Sequence, residues 1–277
     1  MKPAEENLAV IATLAEKLAY QAGELLIEER QKSRFDQHYK QGIELVTSAD
    51  IAVDELIRAG ILAHFPHHQI LSEELAPQVD ASLARSSVLW VIDPIDGTIN
   101  FANGHPHVAI SIGVAINGVT QVAVVYSPFL KECFKAIRGQ GATLNGEGIA
   151  VKPPESLGKT VVATGFPYDK SQVPHLAGRL STVLQQVQDI RRTGCASLDL
   201  CSVAAGRYGA YYEDVKPWDM AAGLLIAEEA GAKVGHFSER IDDWPASIDG
   251  RQVMAAPASV YQALFDVLQT TLERTAV

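Results

Sequence analysis

Five apolar residues in a row, Val88-Leu89-Trp90-Val91-Ile92, run straight into Asp93-Pro94-Ile95-Asp96-Gly97-Thr98. A continuous run of this kind reads as a strand buried on both faces. Pro94 fixes its own φ and pushes Asp93 out of helical geometry, so the strand is expected to stop there, in a type I turn over Asp93–Asp96. Two carboxylates at the carboxyl end of a buried strand would then share a small volume. Gly97 lets the backbone approach a ligand closely. Thr98 is placed to open a short helix whose N–H groups would face an anion. Carboxylates for a cation beside amides for a phosphate suggest metal-assisted phosphate chemistry. Asp-Pro-x-Asp-Gly on its own is also ordinary turn chemistry, so the rest of the chain has to decide.

Around this run the patterns alternate. Leu8, Ile11, Ala15, Leu18, Ala22, Leu25 and Leu26 recur at helical spacing and predict an amphipathic helix to about Arg30. Gln31 to Gly42, with Lys40, reads as a loop. Thr47 or Ser48 caps a second helix that ends near Phe65-Pro66. Ile70-Leu71 starts a short strand leading into Ser72-Glu73-Glu74, and Gln78 to Ser87 reads as a polar loop. Val108 to Ile116, Asn117-Gly118 and Val119 to Tyr126 form a β-hairpin pattern. Gly139 to Gly148 lacks the Gly-Lys-Ser/Thr ending of a phosphate loop and reads as turns. Lys152-Pro153-Pro154 suggests a boundary between an N-terminal lobe, 1–152, and a C-terminal lobe, 153–277, in a single catalytic unit. In the second lobe strands are expected at Val161 to Thr164, Ile190 to Arg192, Tyr208 to Glu213 and Gln252 to Ala256. Helices are expected around Leu176 to Val187, Leu198 to Ala205, Pro217 to Ala230 and from Ser259. Helices and strands interleave in groups, which predicts an α/β (α+β) fold of layered sheets and helices, not a doubly wound sheet.

Composition narrows the partners. A hydrophobic content of 47% over 277 residues supports a large core, and a net charge of -10 argues against nucleic acid or an anionic membrane as the main partner. An anionic substrate stays open, because bound metal ions invert the local charge. Cys133, Cys195 and Cys201 lack metal-ligand spacing, and their odd number suits a reduced, cytoplasmic setting. No signal peptide is visible, and the apolar stretch Val108 to Tyr126 alternates and is broken by Asn117-Gly118, so it is no membrane span.

The acids at strand ends and helix starts are Asp50, Glu73, Asp93, Asp96 and Asp219. Asp219 alone would read as a helix cap. If the five converge, that reading fails on energy, since two like charges ~4 Å apart repel by about 4 kcal/mol at an effective dielectric of about 20. Such a cluster stays ionised when cations neutralise it, and oxygen-only ligands select a hard ion such as Mg2+.

Asp93-Pro-Ile-Asp-Gly-Thr-Ile-Asn-Phe101 together with Trp218-Asp-Met-Ala-Ala-Gly223 resembles the two motifs of the inositol monophosphatase family, Mg2+-dependent and lithium-sensitive sugar phosphatases. Leu45 to Asp50, Ser72 to Glu74, His105-Pro106, Val125 to Pro128, Gly141-Ala142, Leu144 to Gly146 and Arg191 to Gly194 follow in the family's order, so the resemblance covers nearly the whole chain. It implies the layered α-β-α-β-α sandwich of the sugar phosphatases, a homodimer, and two or three Mg2+ ions per active site. Glu73, Asp93 and the Ile95 carbonyl would hold the first ion. Asp93, Asp96 and Asp219 would hold the second, with Glu73 supporting a third through water. Gly97 and Thr98 N–H groups would receive the phosphate. Thr98 and Asp50 would orient the attacking water, making Glu73, Thr98 and Asp50 the catalytic set. Asp96, Gly194, Cys195, Ala196, Glu213 and Asp219 match positions that contact the polyol. The implied reaction is hydrolysis of inositol 1-monophosphate by in-line attack of water, without a phospho-enzyme. Cys195 stands where family members often carry a hydroxyl or a small residue, and the 213–218 loop is slightly short.

Other residues of the sequence have other readings. His64, His67 and His68 follow a helix end and read as a solvated loop. His105 and His107 flank Pro106 and read as structural. Cys195 has no base partner that would make it a nucleophile. A broader sugar phosphatase, such as a fructose-1,6-bisphosphatase, is the alternative substrate class. A regulatory or binding protein that has kept the fold is the alternative of another kind.

Overall fold

The computed structural model describes residues 7–32, 37–40, 44–166, 170–238 and 244–273. The first half comprises α1 (Leu8–Gln31), β1 (Gln37–Lys40), β2 (Glu44–Thr47), α2 (Ser48–His64), β3 (Gln69–Ser72), α3 (Ala81–Ala84), β4 (Leu89–Asp96), α4 (Thr98–Ala102), β5 (Ala109–Ile116), β6 (Val119–Ser127), β7 (Glu132–Ile137), β8 (Ala142–Leu144) and β9 (Glu147–Ile149). Strands β3 to β9 form one seven-stranded sheet in chain order. Only β3 and β4 are parallel; the other neighbours are antiparallel. The β5–β6 hairpin turns at Asn117 and Gly118, with φ of 50° and 80°, the two positive values that a type I′ turn demands.

The second half adds β10 (Val161–Ala163), α5 (Val173–Leu184), β11 (Asp189–Arg191), α6 (Ala196–Ala204), β12 (Ala210–Glu213), α7 (Pro217–Glu229), β13 (Lys233–His236), β14 (Val253–Ala256) and α8 (Ala258–Glu273). Its five strands are ordered β11-β10-β12-β14-β13. β10, β11 and β12 run parallel, while β14 is antiparallel to both neighbours.

Period-two alternation on these strands separates the layers. Trp90, Ile92, Ile112 and Val124 face α1 and α2. Leu89, Val91, Ala123 and Val125 face the opposite way, against α6 and α7. That middle core also takes in Ala163, Tyr211 and Ala255 of the second sheet. Val162, Tyr212 and Met254 point outward to α5 and α8. The result is the expected α-β-α-β-α sandwich. The buried helix α7 comes close to its neighbours because its residues are small. A Cβ on Gly113 would lie 3.2 Å from Ala221 Cβ, and one on Gly223 would lie 2.8 Å from Leu200 Cβ.

Three local expectations are corrected, and one strand is added. The strand β4 does not stop at Asp93 but runs to Asp96. Asp93 pairs with Ser111 and Asp96 with Ala109, so β4 carries one extra residue there and forms a bulge instead of a type I turn. Pro94 has no N–H to lose at a bulge, and the Ile95 N–H is satisfied locally by Asp93 Oδ1 at 3.0 Å. Within Gln31 to Gly42, β1 pairs with β2 through backbone bonds that the polar sequence does not advertise; residues 33–36 and 41–43 lie outside the described residues. The 78–87 segment contains the single turn α3, capped by Asp80. Strand β13 has a weak apolar signal and is held by pairing with β14.

Candidate active site

The cleft opens at the carboxyl ends of β4 and β12 and at the N-terminal end of α7. It has a volume of about 510 Å³, and Glu73, Asp93, Ile95, Asp96, Gly97, Thr98, Glu213 and Asp219 all line it. Each of Asp93, Asp96 and Asp219 offers a carboxylate oxygen within 4.8 Å of the others. Asp93 and Asp96 come from the bulge of β4, and Asp219 comes from the first turn of α7, about 120 residues further along the chain. Glu73 follows β3, the parallel neighbour of β4, and its N–H donates to the Ile92 carbonyl at 3.2 Å.

Each acid is positioned by its own framework. Asp96 accepts from the Ser197 N–H and hydroxyl, both at 2.6 Å, and from the Ala196 N–H at 3.2 Å. It therefore sits against the positive end of α6. Asp219 accepts from the Lys216 N–H at 2.7 Å. Asp50 lies behind the cleft, fully buried, and takes the Thr47 N–H at 2.7 Å and the Thr47 hydroxyl at 2.6 Å on Oδ2. Its Oδ1 faces the Thr98 hydroxyl at 3.1 Å.

Electrostatics mark the trio as incomplete on its own. Burial holds Asp93 well above the ordinary carboxylate range, and the charges of Glu73, Asp96 and Asp219 push it further the same way. Burial and Asp96 raise Asp219 to about 7. Asp96 is raised by burial despite its donors. Asp50 is raised to about 6, again by burial first. A bound cation would let such a cluster stay ionised. Donors made only of oxygen fit a hard ion, so these residues suit Mg2+.

Gly97 has φ +94°, and a Cβ there would fall 2.9 Å from the His107 carbonyl and 3.1 Å from that of Gly194. Glycine thus lets the 193–196 loop close on the motif. Asn100 fastens that loop, its Nδ2 donating to the carbonyls of His107 at 2.8 Å and Thr193 at 2.9 Å. The resemblance gives Gly194, Cys195 and Ala196 as polyol contacts, but none of the three is among the residues that line the cleft; the Ala196 N–H donates to Asp96, and the Cys195 side chain is buried. Its thiol is pushed well above its usual value by burial and by Asp96, so it is no thiolate nucleophile. Glu213 does line the cleft. It takes the Tyr211 hydroxyl at 2.9 Å and is raised to about 8 by burial first. A Cβ on Gly165 would sit 1.8 Å from Glu213 Oε1, so Gly165 makes the room for this carboxylate.

Sequence reasoning missed Ser197, Asn100 and Gly165. A buried Asp96 needs donors, and Ser197 in the first turn of the following helix was the available signal. Gly165, just past the end of an apolar strand, was the other. His68 departs from the solvated-loop reading: Trp90 Nε1 donates to His68 Nδ1 at 3.0 Å, and His68 stacks on Phe65, while His64 and His67 are exposed as expected.

Five layers with an acidic cleft at the strand ends define a layered α/β sandwich whose Asp93, Asp96 and Asp219 could hold a metal ion. The chain belongs to the inositol monophosphatase family, whose model matches residues 7–273. That family is of phosphatase type and Mg2+-dependent in general. The chain is 41% identical over 234 residues to the Nus factor SuhB of Vibrio cholerae, covering 83% of this chain and 86% of that one. It is 37% identical over 266 residues to the Nus factor SuhB of Pseudomonas aeruginosa, covering 94% and 96%. Among solved structures, an inositol monophosphatase from Anabaena (Nostoc) sp. PCC 7120 superposes with a TM-score of 0.80 at 34% identity, over 95% of this chain and 96% of that one.

Proposed function

We propose that this protein is a Mg2+-dependent phosphomonoesterase that hydrolyses inositol 1-monophosphate to inositol and phosphate. The observation that carries the reading is the convergence of Asp93, Asp96 and Asp219 beside Gly97 and Thr98 in one cleft. Glu73, Asp93 and the Ile95 carbonyl would hold one Mg2+; Asp93, Asp96 and Asp219 would hold another. Bound there, Mg2+ supplies charge neutralisation, activation of water and stabilisation of the leaving oxygen.

The chain's own residues do the rest. Gly97 and Thr98 present their N–H groups to the phosphate. Thr98 and Asp50 orient the attacking water, and the Thr98 proton is shared between Asp50 and the Ile95 carbonyl, each 3.1 Å away. Glu213 receives the polyol. Because acids from both lobes meet in the cleft, neither lobe is a catalyst alone. We also read the protein as a cytoplasmic homodimer that lithium inhibits, on the family resemblance; among the described residues no helix is long and apolar enough to cross a membrane.

Phosphate release from a panel of sugar phosphates tests the substrate. Preference for inositol 1-phosphate supports the reading, and preference for fructose 1,6-bisphosphate moves the assignment to the broader sugar-phosphatase class. The name Nus factor, borne by the relatives, favours a second reading, in which the chain also serves as a binding or regulatory factor. Asp93→Asn separates the two, because it removes hydrolysis without altering the outer surface.

A further inference from the structure

Two fully buried carboxylates stand one turn apart on α2. Asp50 accepts the Thr98 hydroxyl at 3.1 Å, and Asp54 reaches a different part of the molecule. Asp54 Oδ2 accepts the Leu75 N–H at 2.9 Å. Burial raises Asp54 above the ordinary carboxylate range. The Leu75 N–H, the Ser72 hydroxyl, the nearby Arg58 charge and the Glu74 N–H work against that rise by stabilising the charged form. Donors from Ser72, Glu74 and Leu75 thus converge on one side chain.

Those three residues belong to the turn that carries Glu73. The Ser72 N–H closes the turn by donating to the Ala76 carbonyl at 3.1 Å, and the Glu73 N–H ties its start to Ile92 of β4 at 3.2 Å. Past Glu73 the chain leaves the sheet, and Asp54 holds the Leu75 backbone against α2. The Glu73 side chain lines the cleft, where its charge pushes the pKa of Asp93 up. Asp54 does not line the cleft. An apolar residue in its place would leave buried N–H groups without an acceptor, so its donors mark what it does: it fixes backbone, not substrate.

We propose that Asp54 is a positioning residue for the first Mg2+ site, fixing the 72–76 turn so that the Glu73 carboxylate is set toward Asp93 before the ion arrives. The ion is the one assigned to Glu73, Asp93 and the Ile95 carbonyl, so the proposal rests on the phosphatase reading for its site but not for the hydrolysis. Helix α2 then serves the cleft twice, through Asp50 at Thr98 and through Asp54 at Glu73.

The test titrates the full chain with Mg2+ by isothermal calorimetry, with no ester present, and compares wild type with Asp54→Asn. The amide keeps the shape of the side chain and one acceptor oxygen but loses the charge and the second acceptor. Mg2+ affinity should fall by about 10- to 100-fold, as for the loss of other partners that orient a metal ligand. The Mg2+ concentration for half-maximal phosphate release should rise in parallel, with kcat at saturating Mg2+ close to that of wild type. A lower melting midpoint of the metal-free variant with unchanged Mg2+ affinity would make Asp54 structural only and overturn the proposal. A double variant decides the route. In a Glu73→Gln background Asp54→Asn should cost no further affinity, because the charge it positions is already gone; the same loss in both backgrounds would overturn the proposal. If Asp54→Asn does not fold, amide exchange in metal-free wild type tests the same point. The Leu75 N–H should be protected before Mg2+ is added; free exchange that slows only with Mg2+ would show that the ion, not Asp54, forms the turn. Wild type that binds no Mg2+ would overturn the phosphatase reading together with the proposal. Wild type that binds Mg2+, with Asp54→Asn indistinguishable from it, overturns the proposal alone.

Discussion

The Thr98 hydroxyl lies 3.1 Å from Asp50 Oδ1 and 3.1 Å from the Ile95 carbonyl, so a residue of the acidic motif is coupled to the capping box of α2, 48 positions upstream. Asp50 does two jobs at once. Its Oδ2 caps the helix through Thr47, and its Oδ1 orients the hydroxyl that faces the cleft.

The two jobs can be separated. Thr98→Ala should lower kcat by on the order of 100-fold or more, with a stability change within about 1 kcal/mol, and Thr98→Ser should keep most of the activity. Asp50→Asn should lose activity and also about 1–2 kcal/mol of stability, since an amide cannot accept both Thr47 donors as well. Chemical denaturation beside steady-state kinetics checks both. Equal stability loss in Thr98→Ala and Asp50→Asn would contradict the division.

Asp93→Asn removes the charge most crowded by its neighbours. The metal-free variant should melt no lower than metal-free wild type, while its hydrolysis is abolished. Mg2+ at about 100 times its dissociation constant should stabilise wild type by about 2.7 kcal/mol and the variant by much less. Differential scanning calorimetry with and without Mg2+ measures both. A marked drop in the metal-free variant's melting temperature would make Asp93 structural.

Glu213 gives a pH signature. Its folded pKa of about 8 lies above the ordinary value of 4.5. The raised value means that the folded state favours the protonated acid, so this contribution to stability is full below about pH 4.5 and is lost as pH rises through about 8. Glu213→Gln has no such loss, so the metal-free variant should gain on wild type by a few kcal/mol between pH 5 and 9. Parallel stability curves for the two proteins would contradict the burial argument.

The same residue predicts selectivity. Glu213→Gln should reduce kcat/KM for inositol 1-phosphate about 10- to 100-fold more than for a small ester without ring hydroxyls, because the small ester never made the contact. Gly165→Ala should reproduce much of this selective loss, since its Cβ takes the space of Glu213 Oε1. An equal drop for both esters would place Glu213 in support of the metal site or the fold.

What was legible in the sequence follows from how local each signal is. Asp93, Asp96 and Gly97 sit within five residues, where proline, glycine and a buried strand leave few conformations, so their shared cleft could be read directly. The hand of the chain at Pro94 could not. Whether Asp93–Asp96 closes as a turn or bulges against β5 depends on Ser111 and Ala109, which are distant in sequence. Asp219 was recognisable only beside a second motif, because one acid at a helix start is ordinarily a cap. Gly165, Asn100 and Asp54 matter through partners at Glu213, Thr193 and Leu75, and no local pattern announces such pairs. Cys195 matched a substrate-contact position by order in the chain, yet its side chain turns inward against Asp96.

The central claim is that the acid trio works by holding Mg2+ for phosphate-ester hydrolysis. Its most direct measurement is the rate of inorganic phosphate release from inositol 1-phosphate by the wild-type chain, first with millimolar Mg2+ and then with excess chelator. The account predicts steady turnover with Mg2+, none in chelator, and recovery when Mg2+ is restored. Full turnover in chelator, or no release of phosphate from any ester with Mg2+ present, would contradict it.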